Sequence, residues 1–254
     1  MSFRIPLLLI LTNFITGLSL CALTIDPLGL RLKGQAGTIL SGTLSLRNEK
    51  TETKNIEIIT SNFSNSSLTH SEWLKLSTDR LLLEPNERKE LYYTIHIPKD
   101  ARGQLMAKVS FQAINTEAKT TSVLNIRTRI SVYFIAVIEG TEVYDCTIQK
   151  VALSTGNPKE LLLTILNTGN VYIKSQGTAI IKEITNGTIV AHCPVNKKST
   201  NLYPQSPRRI LAELENPLPP GEYELELTLE STEENFTIKK TAFFTIASTD
   251  TSND

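Results

Sequence analysis

The side chains able to do chemistry are few: three histidines (His70, His96, His192), three cysteines (Cys21, Cys146, Cys193) and a normal supply of carboxylates. A nucleophilic triad needs a serine or cysteine activated by a histidine that a carboxylate orients. His70 lies in a polar loop, and His96 alternates out of the apolar face of its run. Neither spacing resembles a catalytic site, and no G-x-S-x-G, paired-histidine helix or phosphate-cradling glycine loop occurs. His192, Cys193 and Cys146 are three nominal metal ligands without a C-x-x-C or H-x-x-x-H pair, which is poor material for zinc. The carboxylates of ELENPLPPGEYELELTLE alternate with apolar residues, as the wet face of a strand does. The expectation is a non-enzyme with no catalytic residue, no metal and no cofactor.

Charge narrows the partners. Lys plus Arg number 26 and Asp plus Glu number 26, so the 254-residue chain is formally neutral. That gives no electrostatic case for nucleic acid. The two halves differ, however. Residues 23–138 hold 15 basic and 11 acidic side chains, and residues 139–254 hold 10 and 15. Such an imbalance is either ordinary solvated surface or help in holding two domains at an angle, screened beyond roughly 8 Å at physiological salt.

The elements that position these groups begin after residue 22. Met1 to Ala22 has one cation, Arg4, then an apolar core from Pro6 to Ile15, then small residues. This is the plan of a secretory signal peptide, expected over 1–22, with an uncleaved anchor or lipidation at Cys21 as alternatives. No second apolar run is long enough to span a bilayer, so the mature chain is expected to have no membrane span. Export brings oxidising conditions, where Cys146 and Cys193 can form a disulfide or remain separate buried thiols. Asn62, Asn65, Asn186 and Asn235 head glycan acceptor triplets, relevant only to a eukaryotic secretory route.

The mature chain is a series of short alternating runs and turns with no long helix. Leu91, Tyr93, Ile95 and Ile97 share one face. So do Leu105, Ala107, Val109 and Phe111. The longest candidate strand is residues 122–140, with Leu124, Ile126, Ile130, Val132 and Phe134 on one face and Arg127, Arg129 and Tyr133 on the other. Glu139-Gly140-Thr141 ends it, and a domain boundary is placed there. Seven further runs follow, and Asn186-Gly187 marks a hairpin because both residues accept positive φ cheaply. Period two with closely spaced turns predicts an all-β chain of two immunoglobulin-like β-sandwich domains, 23–138 and 139–247, each of seven strands. A flexible polar tail, 248–254, completes the chain.

Backbone itself can bind. An exposed edge strand pairs with an extended segment of another protein. The run from Ser122 to Phe134 could lend alternate apolar side chains to a partner with an incomplete core, or fill this protein's own sandwich. Arg127 and Arg129 could bind a carboxylate or stand as solvated edge charges.

The stretches EWLKLSTDRLLLEPNERKELYYTIHIPKDARGQLMAKVSFQA and IRTRISVYF, with the leader and the second β unit, resemble the periplasmic pilus-assembly chaperones (PapD-like). The resemblance implies a last strand in the first domain that donates apolar side chains to a pilus subunit. It also implies a carboxylate anchor made by an early arginine and a lysine in that strand. Here Ser131 stands at the lysine position, and Arg31 lies in the early segment out of clear register. The residues expected to bind a subunit are Leu124, Ile126, Arg127, Arg129 and Ile130. The expected function is an exported, periplasmic or envelope-associated chaperone that binds an extended segment of a pilus or surface-fibre subunit, with an outer-membrane usher as a further partner. The alternative is an Ig-like structural or adhesive module that binds a surface protein or glycan. A hydrolase with an unrecognised site is the distant third.

Overall fold

The computed structural model describes residues 23–63, 69–114, 129–154, 156–174, 176–231 and 234–247. Sixteen strands and one four-residue helix make up the regular structure of these residues. The chain is therefore all-β.

Two sheets form the first unit. One contains β1 (Leu23–Asp26), β3 (Ile39–Asn48), β7 (Arg88–His96) and β5 (Leu74–Leu76), in the order β1-β3-β7-β5. The other contains β2 (Gly29–Gly34), β9 (Arg129–Ile138), β8 (Gln104–Ile114), β4 (Lys54–Asn62) and β6 (Arg80–Leu83), in the order β2-β9-β8-β4-β6. The helix α1 (His70–Trp73) leads into β5 and buries Trp73. The period-two faces read from the sequence meet between the sheets. Leu44, Leu46, Leu91, Tyr93 and Ile95 face Ile56, Val109, Phe111, Val132 and Phe134, all of them buried. Proline has no N–H to donate to a ladder. The chain leaves β1 at Pro27, crosses to the other sheet and pairs there as β2, in parallel with β9.

The second unit contains β10 (Cys146–Ser154), β11 (Asn157–Asn167), β12 (Gln176–Glu183), β13 (Ile189–Val195), β14 (Pro207–Glu213), β15 (Gly221–Ser231) and β16 (Phe236–Ile246). Their order is β10-β11-β14-β13-β12-β15-β16, but β13 and β14 share only the bridge Val195↔Ala212. That seam separates two layers around a second core that includes Leu163, Ile165, Ile181, Tyr223 and Leu227.

Several expectations change. The first unit has nine strands rather than seven, because the short β1 and β2 were not read from the sequence. At the β12–β13 hairpin only Gly187 takes a positive φ, 70°. The loop is closed by Glu183 N–H to Thr188 O at 2.9 Å and Gly187 N–H to Glu183 O at 2.9 Å, so it is wider than a two-residue turn. Of the two states left open for the cysteines, the structure has the free thiols. Cys146 and Cys193 are separate buried thiols, and Cys193 Sγ donates to Ala179 O at 3.6 Å. They sit on strands far apart in the sheet order.

Two outcomes follow from this packing. Phe134 is fully buried and meets Tyr93 edge to face at 5.2 Å, so Phe134→Ala should cost about 3–5 kcal/mol in urea unfolding. Burial pushes both thiols up to about 11. Near neutral pH Cys146 and Cys193 of the folded, unreduced protein should resist iodoacetamide, and denaturant alone should open both to labelling.

Candidate functional site

The strand on which the sequence placed the binding residues is β9. On one side it pairs with β8 along nearly its whole length, from Gln112↔Arg129 to Gln104↔Val137. On the other side β2 covers it only from Gly29↔Tyr133 to Gly34↔Ile138. Among the described residues nothing pairs with that second side of Arg129, Ile130, Ser131 and Val132. Among the described residues four residues of backbone are thus open, directly ahead of the point where β2 begins.

The predicted site residues divide accordingly. Leu124, Ile126 and Arg127 lie outside the described residues. Arg129 is exposed, and its Nη2 and Nε donate to Gln112 Oε1 at 2.6 and 3.2 Å. Ile130 is half-buried and packs on this chain's own core, which Val132 and Phe134 enter completely. Ser131, at the position where the resemblance calls for lysine, shares a 3.0 Å hydroxyl contact with Ser110 across the ladder. A lysine stands one strand away instead. Lys108 lies opposite Tyr133 and is half-buried, and among the described residues its ammonium has no ion-pair partner.

Sequence reasoning missed most of the groups that surround this edge. Arg31 and Lys33, both on β2, point at the second unit. Arg31 Nη1 lies 2.6 Å from Glu234 Oε1 and also donates to Tyr172 OH at 2.9 Å. Its guanidinium carbon sits 4.4 Å from the centre of the Tyr172 ring. Lys33 Nζ is 3.4 Å from Glu234 Oε2, and Tyr144 OH donates to the same oxygen at 2.8 Å. The Glu234 side chain is 6% exposed. One buried carboxylate of the second unit therefore holds two cations of the first. This gives the charge imbalance between the halves a specific contact.

Further contacts fix the junction. Gln104 Oε1 accepts the Tyr172 N–H at 2.8 Å. Phe63 lies 4.7 Å from Tyr203 and 5.8 Å from Tyr133, ring centre to ring centre, so one aromatic cluster joins β9 to the second unit. Gly103 has φ +70°, and a Cβ there would come within 2.5 Å of Asn170 O, so only glycine fits between the units. No local pattern could have revealed these pairs, since Arg31 and Tyr172 are 141 residues apart and Lys33 and Glu234 are 201 apart.

Electrostatics follow the geometry. Burial alone would raise the Glu234 carboxyl. The Tyr144 hydroxyl and the Arg31 and Lys33 charges outweigh it and hold the group below its ordinary value. Burial, with the hydrogen bond and charge of Glu234, pushes Tyr144 up to about 12. Among the described residues no group of three His, Cys, Asp or Glu is placed to hold a metal, and no helix is long and apolar enough to cross a membrane.

No protein-family model matches the chain, and no curated protein matches it. Solved structures do. The fold is similar to that of the class 5 fimbriae chaperone CfaA, with a TM-score of 0.53 at 16% identity, over 86% of this chain and 98% of that one. It is also similar to a chain from a chaperone–tip adhesin complex of CFA/I fimbriae biogenesis, with a TM-score of 0.52 at 13% identity, over 89% of this chain and 98% of that one. The fold shared with these two structures is two Ig-like β-sandwiches in series.

The depressed Glu234 carboxyl carries a sign. Its contribution to stability is complete above the unfolded carboxylate range and is lost as pH falls through the lower folded value. Thermal unfolding from about pH 6 down to pH 3 should therefore show a loss that Glu234→Gln makes smaller. Equal slopes in the two proteins would show that the carboxylate contributes nothing across the junction.

Proposed function

We propose that this protein is an exported, non-enzymatic chaperone that pairs an extended segment of a pilus or surface-fibre subunit with the open edge of β9. The observation that carries this reading is the uncovered backbone of Arg129–Val132, ending where β2 starts. An incoming strand can hydrogen-bond there and must stop at Gly29, so its end falls beside Lys108 and the Ser110–Ser131 pair. The likeness of fold to CfaA and to the chaperone–adhesin complex supports the same reading.

In this reading residues 1–22 are a removed leader, 23–138 form the binding domain and 139–247 the second domain. Leu124, Ile126 and Arg127, which precede this edge in the chain, join Arg129 and Ile130 in contacting the client. Leu124 and Ile126 offer apolar side chains to the client, while Val132 and Phe134 belong to this protein's own core. Main-chain hydrogen bonds supply affinity, and alternate side chains supply register. No nucleotide is required, because burial of apolar surface drives the pairing. Lys108 takes the part of the missing strand lysine and faces a terminal carboxylate of the client.

Capture of a fibre subunit by the purified protein tests the proposal. Leu124→Glu with Ile126→Glu should lower capture by at least about tenfold, since two charges would enter an apolar interface, while thermal unfolding stays unchanged. Lys108→Ala should weaken capture of a segment with a free C-terminus more than of the same segment amidated. Undiminished capture by the double variant would end the strand-pairing role. Absence of fibre components among both binding partners and genomic neighbours would leave the adhesive or structural module in its place.

A further inference from the structure

We propose that β2 is a displaceable strap over β9, latched from the second unit by Glu234. The strap lies at the margin of its sheet and touches only β9 in the ladder, over six parallel pairs. Parallel pairing is slightly weaker per residue than antiparallel. Little of β2 enters the core. Gly34 alone is fully buried, Leu30 and Leu32 are half-buried, and Gly29 is exposed. The inward face of β9 is filled by its own Val132, Phe134, Ala136 and Ile138, so the first core keeps its lining on that side without β2. Ladder and burial together hold the strap loosely.

What holds it closed stands outside the ladder. Arg31 and Lys33 both reach Glu234, which is itself fixed by the Tyr144 hydroxyl. The closed arrangement also carries a penalty. Arg31 Nε and Nη2, which form one edge of the guanidinium, are buried with no hydrogen-bond partner. Buried donors left unpaired are costly, and opening would return them to water. A strand whose charged contacts converge on one acidic side chain, with Tyr172 as the further partner of Arg31 and a relief on release, has the ingredients of local opening below the global unfolding free energy. When it opens, the bare edge of β9 grows from Arg129–Val132 to Arg129–Ile138. The use of that longer edge rests on the strand-pairing role proposed above, whereas the motion does not.

Amide hydrogen exchange of the full-length mature protein, without any client, tests the strap. Glu234→Gln should raise exchange in Gly29–Gly34 and Tyr133–Ile138 by about tenfold, the loss expected for hydrogen bonds to a charged group. Exchange in Leu91–Ile95 and Leu161–Ile165 should stay as in the wild type. Lys33→Gln removes the longer contact only and should move the same two segments by a smaller factor. It also serves if Glu234→Gln folds poorly. Unchanged exchange in β2 and β9 would overturn the proposal. So would an equal acceleration in both cores, because that would mark general destabilisation. Failure of subunit capture with the exchange pattern intact would remove the proposed function and leave the strap standing.

Discussion

Every sandwich must decide what to do with the last strand of each sheet, whose outer row of N–H and C=O groups has no neighbour. Here that constraint falls on β2 and on the end of β9 that β2 leaves uncovered. The chain solves most of it by a change of sheet: it pairs with β3 as β1, turns at Pro27 and crosses to pair with β9 as β2. The crossing consumes residues, so the cover arrives late, and among the described residues four of β9 keep an open side. The length of β9 that β2 covers follows from where that crossing occurs.

The second unit completes this arrangement. Its hairpin between β15 and β16 presents Glu234 to β2, and its Tyr172 and Tyr203 reach the neighbourhood of Arg31 and Phe63. A pair of surface ions at such a place would contribute little. A carboxylate that is 6% exposed, shared by two cations and a phenol, is a different object. Its attraction acts in a poorly solvated setting, and loss of one partner would strand the others. The angle between the units is thus set by directional contacts, with Gly103 against Asn170 leaving no slack.

The alternation of Leu91, Tyr93 and Ile95, of Leu105 to Phe111, and of Val132 and Phe134 was legible because a half-buried strand writes its burial in period two. These residues are all in the first core. The strands β1 and β2 left no such trace, being four and six residues long and mixed in character, with a proline between them. The open edge was legible only as a place on the chain. Which residues β2 covers is a matter of register between segments a hundred residues apart. The Glu234 contacts were invisible for the same reason, since nothing in the local pattern around Glu234 announces a partner in β2. Of the binding residues read from the sequence, Arg129 and Ile130 fall where the edge begins, one held by Gln112 and the other turned toward the core. The subsidiary cation, Lys108, was overlooked because it belongs to a strand whose apolar face had already explained it.

The two thiols of the second core have one more implication. Cys146 and Cys193 fill space there as small apolar side chains, each on its own strand, and no covalent tie closes any loop of the unit. Such a domain owes nothing to an oxidising folding catalyst. It can reach its native packing in a reducing cytosol as readily as beyond a membrane, so sulfur chemistry does not decide the compartment in which the chain matures.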